Sequence, residues 1–182
     1  DDTELSLEEK QRRVLAIGKE YLGVTNGHIQ RRPSDRSTEE ILVSVGEDCE
    51  LFPEGTTLAR DKTECGHTVQ EPSPVAISNA SEQGWQNDLA YHEHDIECYL
   101  GTTMFVRGDV YGTVCFIQRT PREEEFTTEE TMFIELVSRL LGREIEAMRL
   151  EQRTEEKEAL QEELEKTTRG TLQLASELEE RY

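Results

Sequence analysis

Apolar positions early in the chain follow a helical period. Val14, Ile17, Gly18, Tyr21 and Leu22 lie on one stripe behind "SLEE", where Ser6 and Glu9 have capping-box spacing, and this predicts a first helix ending near Leu22. The period then falls to two. "VTNGHIQRR" reads as a strand, "EEILVSVGE" as a second with Ile41, Val43 and Val45 on one face, and the polar "RPSDRST" joins them as an antiparallel pair. From Gly46 the alternation dissolves into a crossing segment outside the core sheet, with a short helix around Cys65 to Gln70 that Pro72 and Pro74 stop. "VAISNA" predicts a short strand. The polar "SEQGWQNDLAYHEHDI" carries one or two helical turns around Trp85 to Tyr91.

The sharpest local signal is the hairpin "CYLGTTMFV", "RGD", "VYGTVCFIQR", with Gly108 and Asp109 at the turn. Its second strand is apolar at both parities (Val114 and Phe116, Cys115 and Ile117), which implies a central strand covered on both faces. Thr127 and Glu130 then cap a helix bearing Phe133, Leu136, Val137, Leu140, Leu141, Ile145 and Met148. Past Leu150 no strand signal or interior proline appears, so the helix is expected to run toward Tyr182, about 80 Å from Thr128 at about 1.5 Å per residue. With Leu150 at heptad position a, the seam holds Leu150, Leu160, Leu164, Leu174 and Leu178, interrupted by Arg153, Lys157, Thr167 and Thr171. That pattern suits a weak dimeric coiled coil, with a solvated single helix as the alternative, and Gly170 softens it by about 1 kcal/mol. The organisation expected is a helical lead-in over 1–13, a domain over 14–149 and a helical connector over 150–182.

Charge changes the picture of partners. Forty acidic against twenty basic residues give a net charge of -20, which repels nucleic-acid phosphates and anionic lipid. Fifteen arginines against five lysines, with acids spread along the chain, suit a salt-loaded cytoplasm, where a Debye length of about 3 Å silences the self-repulsion. No apolar run reaches the roughly 18 residues of a membrane span, so a cytoplasmic location is expected. Four dispersed cysteines (Cys49, Cys65, Cys98, Cys115) in a chain of this size are expected as reduced thiols. The start at Asp1 suggests a piece of a longer protein.

The order helix, two strands, crossing segment, strand, hairpin and closing helix resembles the GAF family of sensory domains. The motifs that carry the resemblance are Tyr99-Leu100-Gly101, Tyr111-Gly112-Thr113, and Phe126-Thr127 followed by Glu129 and Glu130. The acidic composition, the surroundings of Trp85 and the "ECYLGTT" and "GTVCF" runs look more particularly like GAF domains of haloarchaeal signal-transduction proteins, either sensor kinases or bacterio-opsin-activator-like regulators. The resemblance implies an α+β fold, a GAF-like antiparallel sheet of five or six strands with helices on both faces, plus the long C-terminal helix. It also implies a pocket roofed by the crossing segments, a homodimer, and a signal passed along a helix to an output domain of the same chain.

In that layout the pocket candidates are Cys65, His67, Trp85, Tyr91, His92, His94, Cys98, Tyr99 and Thr102, most of them in or near "AYHEHDIECYLG". The histidines and cysteines match no finger or ribbon spacing, so no metal site is expected. Bilin-bearing GAF domains commonly place a cysteine directly before a histidine, whereas Gly66 separates Cys65 from His67 here. A thiol enzyme resembling free methionine sulfoxide reductase is one alternative and a purely structural dimerisation module another. No phosphate-cradling glycine loop, nucleophile elbow or zinc-protease motif is present, and His28, His67, His92 and His94 all precede the long helix. The reading is a non-enzymatic sensory module, ligand-binding or redox-sensing, whose signal and cofactor the residues do not name.

Overall fold

The computed structural model describes residues 5–33, 37–48, 50–59, 67–71 and 73–181. Helix α1 (Leu7–Leu22) begins at a complete capping box between Ser6 and Glu9 and ends on Gly23 in the left-handed conformation. Strands β1 (Asn26–Arg31), β2 (Thr38–Gly46), β3 (Thr57–Ala59) and β4 (Val75–Ile77) precede a short helix α2 (Leu89–His94). The hairpin β5 (Cys98–Val106) and β6 (Asp109–Gln118) then leads into the long helix α3 (Thr128–Glu179). The strands form one antiparallel sheet in the order β3-β2-β1-β6-β5-β4, which puts β6 and β1 at its centre. Burial of β6 at both parities, from Gly112 to Gln118, matches the two-sided apolar pattern of its sequence.

Four local expectations are corrected. Leu42 is an extra residue opposite Ile29 and Gln30, a bulge that turns Ile41 to the face opposite Val43. The hairpin turns on Arg107 and Gly108, both at positive φ as a type I′ turn demands, and Asp109 already pairs with Val106. The helical turns of the polar stretch form at Leu89–His94, later than Trp85 to Tyr91. The crossing segment also adds β3 to the sheet, paired with Thr38–Glu40. Of the helix expected around Cys65 to Gln70, only His67 and Thr68 are helical among the described residues, and Cys65 lies outside them.

The core is split by the sheet. On one face α1 and α3 press Leu15, Leu22, Ile134, Val137, Leu141 and Ile145 against Ile29, Val43, Leu100, Met104, Val114 and Phe116. Antiparallel packing of the two helices is marked by Tyr21 against Phe133, with ring centroids 4.6 Å apart, and by Lys10 to Glu144 at 2.7 Å. The apolar stripes of both helices are wider than this face needs. Ile17 and Tyr21 on α1, with Met132, Leu136 and Leu140 on α3, are all more than half exposed.

Contacts divide the chain into two units, Asp1–Ile145 and Glu146–Tyr182. The second unit is helical through Glu179, and its described side chains are exposed apart from the half-buried Met148. Leu150, Leu160, Leu164, Leu174 and Leu178 are all among the exposed residues. Among the described residues no helix is long and apolar enough to cross a membrane.

Candidate ligand-binding face

The second face of the sheet has a different chemistry. Alternation along β1, β5 and β6 carries His28, Gln30, Tyr99, Thr103, Thr113 and Cys115 to the side away from α1 and α3, and all are buried. Apolar neighbours Ile41, Phe52, Ile77, Ile96 and Ile117 surround them. A buried polar group is costly without a partner, and these groups hold one another. The hydroxyls of Thr68 and Tyr99 share a hydrogen bond of 2.6 Å, and Tyr99 Oη lies 3.2 Å from Cys115 Sγ. Cys115 Sγ reaches Thr113 Oγ1 at 3.5 Å, and Thr103 Oγ1 donates to the Thr68 carbonyl at 3.2 Å. Gln30 Nε2 meets His28 Nε2 at 3.0 Å, while Gln30 Oε1 is buried with no hydrogen-bond partner. Farther along, the fully buried Glu39 carboxylate lies 3.9 Å from Arg32 Nε.

Rings cover this polar layer. Phe52 sits between His28 and His94, with centroids at 4.7 and 4.8 Å. His67 meets the edge of Trp85 at 5.4 Å and its Nε2 lies 2.8 Å from Asp88. Tyr91 donates to Glu97 at 2.6 Å, and that bond raises the phenol pKa. Burial alone would raise Glu97, but hydrogen bonds from Tyr91 and Ser81 outweigh it and lower the carboxyl below its ordinary value. The arrangement offers donors, acceptors and flat apolar surfaces at close quarters, which is what orients a small molecule.

The predicted site residues divide. Tyr99 lies within this face, Trp85 and Tyr91 pack against its apolar cluster, and His94 joins through Phe52. His67 is half-buried at its rim, and His92 is exposed, with its ring against Tyr91 at 5.6 Å. Cys98 and Thr102 are corrected: both share the parity of Leu100 and Met104 and face the helices. Cys98 is packed in the helix-side core, where burial pushes its thiol up to about 12 and leaves little thiolate at neutral pH. Cys65 lies outside the described residues. No group of three potential metal ligands occurs among the described residues. An open cleft of about 150 Å³ at one end of the sheet, beside Asn26, Asp48 and Arg119, includes none of the predicted residues.

His28, Gln30, Thr68, Thr103 and Thr113 were not anticipated. Their signal was the i, i+2 spacing of His28 and Gln30 on β1, which reads as a solvent face until both neighbouring strands and the cover are known, and of Thr113 beside Cys115 on the two-sided β6.

The family model of the GAF domain matches residues 6–145. No curated protein matches the chain. Among solved structures, a GAF domain from an Acinetobacter phosphoenolpyruvate-protein phosphotransferase is 18% identical with a TM-score of 0.61, over 78% of this chain and 82% of that one. The phycocyanobilin-bound GAF domain of a cyanobacterial phytochrome is 12% identical with a TM-score of 0.66, over 81% and 88%. GAF-B of DevS from Mycobacterium smegmatis is 13% identical with a TM-score of 0.60, over 79% and 95%. At these identities the likeness is one of fold.

Proposed function

This chain belongs to the GAF domain family, and from that premise we propose that it is a sensory module that binds a small molecule, or reads a redox change, on the second face of its sheet. The observation that carries the reading is the buried layer of Tyr99, Cys115, Thr113, Gln30 and His28 inside an apolar surround, an arrangement with more polar chemistry than packing requires. The module works without turnover. Cys98 and Cys115 face opposite sides of the sheet, and Cys98 is held as the protonated thiol, which argues against a reductase built on that pair. We place it in the cytoplasm of a haloarchaeon, in a sensor kinase or a bacterio-opsin-activator-like regulator, on the net charge of -20 and the excess of arginine over lysine. Residues 150–182 serve as the connector to an output domain of the same chain.

The exposed stripes of Ile17, Tyr21, Met132, Leu136 and Leu140 support a homodimer through the two helices, and the exposed leucines of the connector support its continuation as a coiled coil. The test is to purify the chain from a haloarchaeal host in molar KCl, record its absorption spectrum, count subunits by light scattering and identify compounds released on denaturation. A stoichiometric compound released from the wild type and lost in a folded Tyr99→Phe, which keeps the ring and removes the hydroxyl of this face, supports ligand sensing; a dimer supports the helix pairing. Turnover of free methionine sulfoxide with a dithiol reductant, abolished in Cys115→Ser, would replace the sensory reading with the enzymatic one.

A further inference from the structure

We propose that Thr103 is the coupling residue of this module, tying the crossing segment at Thr68 to the closing helix at Ser138, so that displacement of one loosens the other. The inference rests on the sensory reading above and specifies its regulation. Strand β4 pairs with β5 only over Tyr99–Gly101, and beyond that stretch α3 meets the β5 backbone at the Thr103 and Phe105 carbonyls. Ser138 Oγ donates to the Thr103 carbonyl at 2.9 Å. One turn on, a side chain at Gly142 would put its Cβ 2.3 Å from the Phe105 carbonyl oxygen, so glycine lets the helix lie against the strand. Thr103 is thus held from both sides: its carbonyl by α3, its hydroxyl by the Thr68 carbonyl at 3.2 Å. Thr68 is held a second time by Tyr99, whose hydroxyl also meets Cys115.

Every member of this chain is buried, at 0% exposure for Thr68, 1% for Tyr99, 3% for Ser138 and 9% for Thr103. Water therefore does not readily replace a partner that withdraws, and each broken bond removes a hydrogen bond from a buried group. An occupant of the second face that moves Thr68 removes the acceptor of the Thr103 hydroxyl and one partner of Tyr99. Relief comes by shifting β5, which carries the carbonyl that α3 holds. Conversely, undocking of α3 at Ser138 releases the β5 edge and with it the seat of Thr68. Coupling requires one element whose equilibrium both sites bias, and in this proposal that element is β5, which Thr68 and α3 each hold through Thr103.

The test is amide hydrogen exchange on the full chain in molar KCl with no added ligand, comparing wild type, Ser138→Ala, Thr103→Val and Ile134→Val. Readouts are the amides of Gln70 and Glu71, which donate to the His67 and Thr68 carbonyls, and the helix amides of residues 134–142. Ser138→Ala is expected to speed exchange about fivefold in the helix and at Gln70 and Glu71 together, the scale of one buried hydrogen bond. Thr103→Val does the same, and keeps the test intact where Ser138→Ala does not fold. Ile134→Val, a loss of packing in the same helix, speeds exchange in the helix alone. A Ser138→Ala effect confined to the helix, or an equal rise at Gln70 and Glu71 in Ile134→Val, would overturn the coupling. Because no ligand enters this experiment, either result leaves the ligand-release test independent.

Discussion

The two faces of the sheet are built from the same strands on opposite principles. On the helix side Val114 and Phe116 meet hydrocarbon from α1 and α3, whereas one residue out of phase Thr113 and Cys115 meet hydroxyls and rings. The helix face is stabilised by apolar area, at about 25 cal/mol per Å², and tolerates exchange among residues of similar volume. The second face adds to its own apolar surround directed bonds among buried groups, where removing one partner is costly and substitution is constrained by geometry. Within one sheet, then, stability and chemistry are segregated by parity. A sensor gains from this, because its polar face can rearrange while the helix-side core keeps the domain folded.

The strongest way to break the comparison is Phe116→Ala. The ring is fully buried and fills the space that side chains at Gly18 and Gly27 would occupy, since a Cβ at either would come within 3 Å of it. A loss of about 3–5 kcal/mol in denaturant unfolding is expected. A loss under about 1 kcal/mol would mean that the helix face is not the main source of stability. Tyr99→Phe tests the other face, since it keeps the buried ring and removes the hydroxyl that meets Thr68 and Cys115. It should cost about 1–2 kcal/mol while leaving the helix amides of residues 134–142 slower to exchange than those of the crossing segment. A neutral Tyr99→Phe would reduce the polar layer to incidental packing.

How much of this was legible follows the same division. The central hairpin, both capped helices and the two-sided burial of β6 are written in local periodicity and turn chemistry, so they could be read directly. The bulge at Leu42 could not, because β-branched and apolar residues run through "ILVSV" and only pairing with β1 decides which of them are displaced. That single residue separates Ile41 from Val43. Cys98 and Thr102 are candidates by their place at the entry to the Tyr99-Leu100-Gly101 strand, yet strand alternation puts both on the face opposite Tyr99. Trp85, Tyr91 and His94 stand out in the sequence as aromatic residues of a polar segment, and that segment packs over the second face. Thr68, Thr103 and Ser138 were beyond it, since their roles depend on which strand edge a distant helix covers. The wide stripes of α1 and α3 were visible as apolar, but only the fold tells that Ile17, Tyr21, Leu136 and Leu140 lie outside the core.

The smallest expected effect concerns a charged link at the margin of the apolar face. Glu130 accepts from Arg122 at 2.9 Å and from the Thr127 amide at 2.7 Å, while Arg122 lies 4.2 Å over the Phe126 ring and its amide donates to the Ser78 carbonyl. The link thus fastens the start of α3 to the loop after β4. Burial would raise the Glu130 carboxyl, but Arg122 and the Thr127 amide outweigh it, and its pKa falls below the ordinary value of 4.5. A lowered folded pKa means that the stabilisation is fully present above the unfolded value and is lost as pH falls through the folded one. Glu130→Gln should therefore cost about 1 kcal/mol at pH 7, with the gap to wild type closing as pH drops below 4.5. The side chain is only 11% exposed, so molar KCl should leave most of the gap in place. The Glu54 to Arg12 bridge is more open, its acid 36% exposed, and Glu54→Gln should lose most of its smaller effect in the same salt. Denaturant midpoints at pH 7 and pH 4, in dilute and molar KCl, separate the two. If Glu130→Gln responds to salt as Glu54→Gln does, the link is a surface pair and the helix face is apolar to its edge.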